Sequence, residues 1–213
     1  EIRTPLNGIL GGAEYVMQIR SKDKELLENL EIIKESGERL LSTITNFLDL
    51  ALLESNEVNI VLQETNINDF ISKLLINHKS EGIKKGILVT SKFLTKPFVA
   101  KIEKKYLEII INKIVGNSIK YTEKGIIEIF VEKNNQHLDI KVRDQGIGMS
   151  KAYLDKLFYP FEQESNGFNR KFEGSGLGLT ITKHLVEKLK GQITIESKKG
   201  NGTIVKISLP LFT

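Results

Sequence analysis

The 213-residue chain has no cysteine and no tryptophan, and holds only four prolines, three histidines and two methionines. Without cysteine, disulfides and thiolate-bound metals are excluded, which suits a reducing cytosol. His78, His137 and His184 lie far apart and lack metal-ligand spacing. No apolar run approaches the roughly 20 residues of a membrane-spanning helix. The start, Glu1-Ile2-Arg3-Thr4-Pro5, is too polar for a signal peptide. The expectation is a cytoplasmic location, either free or as the cytoplasmic part of a membrane-anchored receptor, with no direct membrane contact by these residues. Excess positive charge is also small: 31 Lys and Arg against 27 Asp and Glu give +4, with lysines and glutamates interleaved throughout. That pattern reads as solvated surface rather than a nucleic-acid stripe.

What the chain does have is periodicity. Ile2, Leu6, Ile9, Ala13 and Val16 recur in steps of 4, 3, 4, 3. After a break at Ser21-Lys22-Asp23 the pattern resumes at Leu26, Leu30, Ile33, Gly37, Leu40, Ile44, Phe47 and Ala51. This is the seven-residue repeat of a bundle seam. Two such helices with a short loop predict an antiparallel hairpin over residues 1–55. A lone hairpin leaves part of each stripe wet, so two should pack as a four-helix bundle in a homodimer. Gly37 is a misfit, since glycine inside a helix costs about 1 kcal/mol relative to alanine. It reads either as a close helix approach or as tolerance.

Residues 56–59 read as a linker, and the periodicity changes beyond them. Residues 60–213 predict a two-layer α/β sandwich, making the whole an α+β chain. Strands are expected at Ile60–Glu64, Ile87–Phe93, Phe98–Ile102, Ile126–Glu132, Leu138–Arg143, Gln192–Ser197 and Thr203–Leu209. Helices are expected at Asn66–Glu81, Lys104–Tyr121 and Gly174–Lys190, the last closed by Gly191 as a C-cap. Asn134-Asn135 and Gly200-Asn201-Gly202 read as hairpin turns. The long stretch of about 145–175 reads as a functional lid.

Three places could carry chemistry. Leu138, Ile140 and Val142 alternate with polar neighbours, and continuing the alternation puts Asp144 on the apolar side. A carboxylate there is costly unless hydrogen-bonded, and Gly146 and Gly148 after it allow a sharp turn or a close ligand approach. An ordinary strand-to-loop turn explains the same residues. On the 104–121 helix, Lys113, Asn117 and Lys120 share a face, with Tyr121 beside them. The face suits Mg²⁺ and phosphate, or is simply solvated. Gly174-Ser175-Gly176-Leu177-Gly178-Leu179 opens a helix and suits an anion, although no preceding strand makes it a dinucleotide fingerprint.

The order of these pieces resembles the sensor histidine kinases of two-component systems, whose ATP-binding domain is shared with gyrase, MutL and heat-shock ATPases. Asn117 to Thr122 looks like the asparagine box, Asp144 to Gly148 the first glycine box, Phe158 to Gln163 the phenylalanine box, and Gly174 to Leu179 the second glycine box. Glu1 to Asn7 looks like the segment directly after the phosphoacceptor histidine. The resemblance covers essentially the whole chain.

It implies ATP and Mg²⁺ as cofactors. Asp144 would accept the adenine amino group, Gly146 and Gly148 would shape the lid hinge, and Tyr121 would pack near the nucleoside. Asn117 would hold Mg²⁺, Lys120 would lie near the phosphates, and the amides of Gly174, Ser175, Gly176, Leu177 and Gly178 would surround them. Phe158 and Phe161 would anchor the lid. Glu1 would act as general base on the histidine, and Thr4 would serve dephosphorylation of a response regulator, the implied partner. Pro5 removes a helical N–H and would bend the helix. The acceptor histidine is expected immediately before Glu1, so the sequence reads as a fragment that cannot autophosphorylate as given. Lys113 stands where the family usually has another asparagine, and Asn112 is about 100° away around the helix. Lys113 motivates a second reading, a nucleotide-binding interaction module without kinase activity. A gyrase- or MutL-like ATPase is disfavoured by the heptads of residues 1–55.

Overall fold

A computed structural model divides the chain into two units, Glu1–Leu52 and Leu53–Thr213. It describes residues 3–19, 23–54, 60–164 and 174–211, with the side chains of residues 3–5, 49 and 52–54 left out. The predicted linker at 56–59 and the middle of the predicted lid therefore lie outside the described residues.

The first unit holds α1 (Arg3–Ile19) and α2 (Lys24–Glu54). Asp23 starts α2, its carboxylate accepting the Leu26 N–H at 3.1 Å, the usual work of an N-cap. Leu10 of α1 meets Gly37, while Glu14 pairs with Lys34 at 3.7 Å. Contact positions that rise along one helix thus fall along the other, so the pair is antiparallel. Gly37 resolves as a close approach: a Cβ there would stand 2.7 Å from Leu10 Cδ2. The seven-residue repeat splits between two surroundings. Leu30 and Gly37 are buried toward α1, whereas Ile33, Leu40 and Phe47, spaced seven apart on the next seam, are exposed.

The second unit comprises β1 (Gln63–Asn66), α3 (Ile67–Lys84), β2 (Ile87–Phe93), β3 (Val99–Ile102), α4 (Lys104–Tyr121), β4 (Gly125–Asn134), β5 (His137–Asp144), α5 (Lys151–Leu154), α6 (Gly178–Lys188), β6 (Gln192–Ser197) and β7 (Thr203–Pro210). Five strands form a mixed sheet in the order β2-β4-β5-β7-β6, in which only the β2–β4 pair is parallel. β1 and β3 form a separate antiparallel ribbon. α3, α4 and α6 pack as one layer on the sheet. Ile127, Ile129 and Val131 of β4 and Leu138, Ile140 and Val142 of β5 meet Ile110, Ile114 and Ile181 in a core with almost no solvent exposure. Burial of each such side chain stabilises by about 1.5–3 kcal/mol. This is the α/β sandwich that the alternation of β5 and the helical stripe of α4 imply.

Four boundaries differ from expectation. The first strand lies at Gln63–Asn66, not Ile60–Glu64: Ile60 to Leu62 are exposed, and the Val61 N–H goes to the Glu103 carboxylate at 2.6 Å rather than into a ladder. Asn66 ends that strand and caps α3, accepting the Asp69 N–H. The β4–β5 turn is at Asn135-Gln136, with Asn135 in the left-handed region at φ 53°, because Asn134 still pairs with His137. α6 starts at Gly178, not Gly174, and Gly191 is not the left-handed residue at its end. Lys190 takes that role (φ 58°), with its N–H on Glu187 O and the Gly191 N–H on Val186 O, a Schellman arrangement. Gly191 is needed because a Cβ would lie 2.5 Å from Ser208 O of β7.

Candidate functional site

β5 carries Asp144 to the end of the sheet, and the alternation does turn it inward: it is 8% exposed. Three donors hold the carboxylate. Oδ1 accepts the Gly146 N–H at 2.9 Å and the Thr203 N–H at 3.0 Å, and Oδ2 accepts the Ser118 hydroxyl at 3.2 Å. Burial pushes the carboxyl above the ordinary aspartate range, and the bonds from Gly146, Ser118 and Thr203 oppose that rise.

The two glycines after Asp144 serve different needs. Gly146 lets the loop run against the end of α4, since a Cβ would stand 2.6 Å from Tyr121 O, and the next residue donates its N–H to that oxygen. Gly148 is left-handed at φ 61°, and a Cβ there would collide with Lys198 O. In the same corner Thr122 Oγ1 is buried without a hydrogen-bond partner among the described residues, 3.1 Å from where a Gly146 Cβ would stand. A buried hydroxyl with unused hydrogen-bonding capacity beside a buried carboxylate suits a polar ligand edge.

α4 positions the other end. It is capped by Glu103, whose carboxylate accepts the Lys105 N–H at 3.2 Å. Its inner face is Leu107, Ile110, Ile111, Ile114, Val115 and Ser118, leaving Lys113, Asn117, Lys120 and Tyr121 half-buried. The Lys120 ammonium lies 4.7 Å from the Tyr121 ring centroid and 2.6 Å from where a Gly174 Cβ would stand. Asn117 Nδ2 is 3.8 Å from the corresponding point on Gly178. The asparagine helix and the second glycine cluster, some sixty residues apart in sequence, are therefore neighbours. Asn112 does not substitute for an inward amide. It is exposed and bonded to His78 of α3 at 2.9 Å.

Gly174 to Leu177 form a loop leading into α6. Gly176 is left-handed (φ 71°), and a Cβ would stand 2.7 Å from the Phe161 carbonyl carbon. No side chain caps α6. Its first N–H groups and the positive end of the helix dipole thus remain available for an anion. Leu177 is fully buried, so any contribution it makes to the site is through its backbone.

The described part of the lid stretch is ordered by specific bonds. Thr180 Oγ1 donates to Phe158 O at 3.1 Å, and the Gln163 side chain donates to Gly174 O. Glu164 accepts from the Ser150 N–H at 2.9 Å and pairs with Lys199 at 2.9 Å, and these contacts lower its carboxyl below the usual range against the effect of burial. Of the two phenylalanines expected to anchor this stretch, Phe161 is left-handed (φ 66°) with its ring exposed, and Phe158 is half-buried under Lys183. Beside them Leu157 is buried, at 4% exposure. Glu1 and the Thr4 side chain lie outside the described residues.

Sequence reasoning did not assign Ser118, Thr122 or Thr203 to the site. A serine inside the apolar stripe of α4 was the available signal. Thr203 contributes only a backbone N–H, which no residue type announces.

Comparisons with known proteins agree with this layout. Residues 102–213 match the family described as histidine kinase-, DNA gyrase B- and HSP90-like ATPase, and residues 1–56 match the His Kinase A (phospho-acceptor) domain. The chain therefore belongs to that ATPase family, in its sensor histidine kinase branch. The autoinducer 2 sensor kinase/phosphatase LuxQ of Vibrio parahaemolyticus is 33% identical over 218 residues, 99% of this chain and 25% of LuxQ. The sensor histidine kinase RcsC of Escherichia coli K12 is 29% identical over 214 residues, 100% of this chain and 22% of RcsC. The crystal structure of full-length ShkA in complex with AMPPNP has a TM-score of 0.82 at 25% identity, covering 100% of this chain and 44% of ShkA. This chain spans about a quarter of the length of the curated relatives it matches. No helix among the described residues is long and apolar enough to cross a membrane.

Proposed function

We propose that these residues are the kinase core of a cytoplasmic signalling protein, which binds Mg-ATP and passes its γ-phosphoryl group to a histidine of the helical hairpin. The observation that carries this reading is what gathers around the last turns of α4. Ser118 there bonds the buried Asp144 carboxylate, while Asn117 and Lys120 stand beside Gly178 and Gly174 at the uncapped α6 N-terminus. Asp144 accepts from the adenine amino group, and Tyr121 flanks the nucleoside. Lys120 and the Gly174–Gly178 backbone meet the phosphates. The Asn117 side-chain oxygen suits Mg²⁺, which takes few protein ligands and keeps water and phosphate oxygens as the rest. When bound, that ion would neutralise charge on the transferring group.

In the transfer, the imidazole nitrogen attacks the γ-phosphorus, the bond to the bridging oxygen breaks, and ADP leaves. Glu1, beside the expected histidine, takes the imidazole proton. The phosphoryl group then passes to an aspartate of a response regulator, and Thr4 assists its later hydrolysis. Two hairpins pair into a four-helix homodimer through residues 1–55, covering Ile33, Leu40 and Phe47 of each copy, which are exposed in the single chain.

A second reading is favoured by one observation. Lys113 replaces an asparagine of the family pattern, and Asn112 is turned away to His78. The protein would then bind nucleotide and partner without transferring phosphate. A longer form of the protein that includes the residue before Glu1, given γ-labelled ATP and Mg²⁺, decides between them. Acid-labile, base-stable label on the protein supports the kinase. Nucleotide binding without label, with a histidine present, supports the binding module.

A further inference from the structure

The three bonds to Asp144 differ in kind. Gly146 and Thr203 donate backbone N–H groups, which almost any residue at those positions would supply. The third donor is a side chain, the hydroxyl of Ser118, and it serves the oxygen that the other two leave alone. Ser118 is 3% exposed, so its hydrogen has no bulk water to turn to. It sits on α4 directly after Asn117, in the turn that also carries Lys120 and Tyr121.

Rotation about the Cβ–Cγ bond carries both carboxylate oxygens together, and that terminal torsion is soft. Gly146 and Thr203 restrain it from the Oδ1 side, and Ser118 adds the restraint from the Oδ2 side. Oδ1 already accepts two hydrogens, so Oδ2, with one donor and further lone-pair capacity, is the oxygen with room for a ligand N–H. We infer that Ser118 is a positioning residue for base recognition: its hydroxyl aims Asp144 Oδ2 at the exocyclic amino group of an adenine nucleotide. The inference rests on the proposed nucleotide site and adds to it a second-row determinant on α4.

The chemistry also sets selectivity. An ionised, fixed acceptor attracts the amino group at position 6 of adenine and repels the carbonyl oxygen there in guanine, where a mobile carboxylate could turn partly aside. The same hydroxyl stabilises the charged form of a carboxyl that burial drives toward protonation. Its loss therefore moves the acid limb of ATP binding to higher pH.

The test is calorimetric titration of the whole chain with Mg-ATP and Mg-GTP across pH, for wild type, Ser118→Ala and Ser118→Thr. Ser118→Ala should bind ATP about five- to tenfold more weakly, with a smaller ATP over GTP preference and an acid limb shifted upward. The melting temperature of the unliganded protein should fall by at most a few degrees, and less in acid where Asp144 is protonated, and Ser118→Thr should recover ATP affinity. Unchanged ATP affinity and pH limb in Ser118→Ala overturn the inference. So does a loss that is equal at every pH and accompanied by a lower melting temperature, because that is a packing effect. Failure of the wild-type protein to bind either nucleotide instead overturns the nucleotide site itself.

Discussion

The hairpin and the α/β unit differ in how deep a core each builds. In the α/β unit α3, α4 and α6 close one face of the sheet, and Ile67, Ile71, Leu75, Ile110 and Ile181 are completely buried, although Ile83, Leu88, Leu94 and Val99 stay exposed. The hairpin buries Leu6, Ala13, Leu30 and Leu50 but leaves Ile9, Ile33, Leu40, Phe47 and Leu48 exposed. One unit has a fully buried core of its own, and the proposed homodimer would cover the exposed seam of the other. On the proposed reading this division is useful: a nucleotide pocket needs fixed geometry, whereas a phosphoacceptor bundle would change its contacts as it met a kinase domain and then a response regulator.

The largest expected effect separates the two units outright. Leu40→Asp with Phe47→Asp should convert a dimer to a monomer in sedimentation experiments, because two unpaired charges would be buried at the seam. The α/β unit should still bind Mg-ATP. Dimerisation that survives the pair would break the comparison. Next in size, Gly148→Val should destabilise the α/β unit by about 2–4 kcal/mol, combining left-handed strain with overpacking, and leave the oligomeric state alone. Chemical denaturation followed by nucleotide binding measures it. Gly37→Leu should act on the hairpin by about 1–3 kcal/mol through Leu10, seen as a lower helix melting temperature with ATP affinity unchanged. The smallest change is Lys199→Ala. Its pair with Glu164 is half-exposed, so it should cost about 1 kcal/mol or less. Glu164 has a lowered carboxyl, so this contribution is present above the usual carboxylate range and fades as pH falls through the folded value.

Much of the fold was legible because its signals are periodic. The alternation along 138–144 announced both β5 and the inward turn of Asp144, and the spacing on 107–118 announced the buried face of α4. The heptads announced the hairpin, but not which seam faces the partner helix. Where the sequence misled, a tertiary contact outweighed a local preference. Ile60 to Leu62 look like a strand, yet Glu103 captures Val61. Gly174 looks like the opening of a helix, yet the left-handed turn at Gly176, fitted against Phe161, delays the start to Gly178. Phe161 looks like an anchor and is exposed, while Leu157 is buried. The aim of Asp144 was legible, but its three donors were not, since Gly146 and Thr203 give only backbone N–H groups and the Ser118 side chain comes from another element.

The account turns on Asp144 as the acceptor of the base. Burial raises its carboxyl, so its protonated form favours the folded state. That contribution is complete below the unfolded aspartate value and is lost as pH rises through the higher folded value. Ionising the group therefore costs stability. Titrating Mg-ATP into Asp144→Asn near neutral pH, alongside the melting curve of the unliganded protein, tests both halves at once. The account predicts roughly 10- to 100-fold weaker binding with a melting temperature equal to or above wild type; unchanged ATP affinity would contradict it.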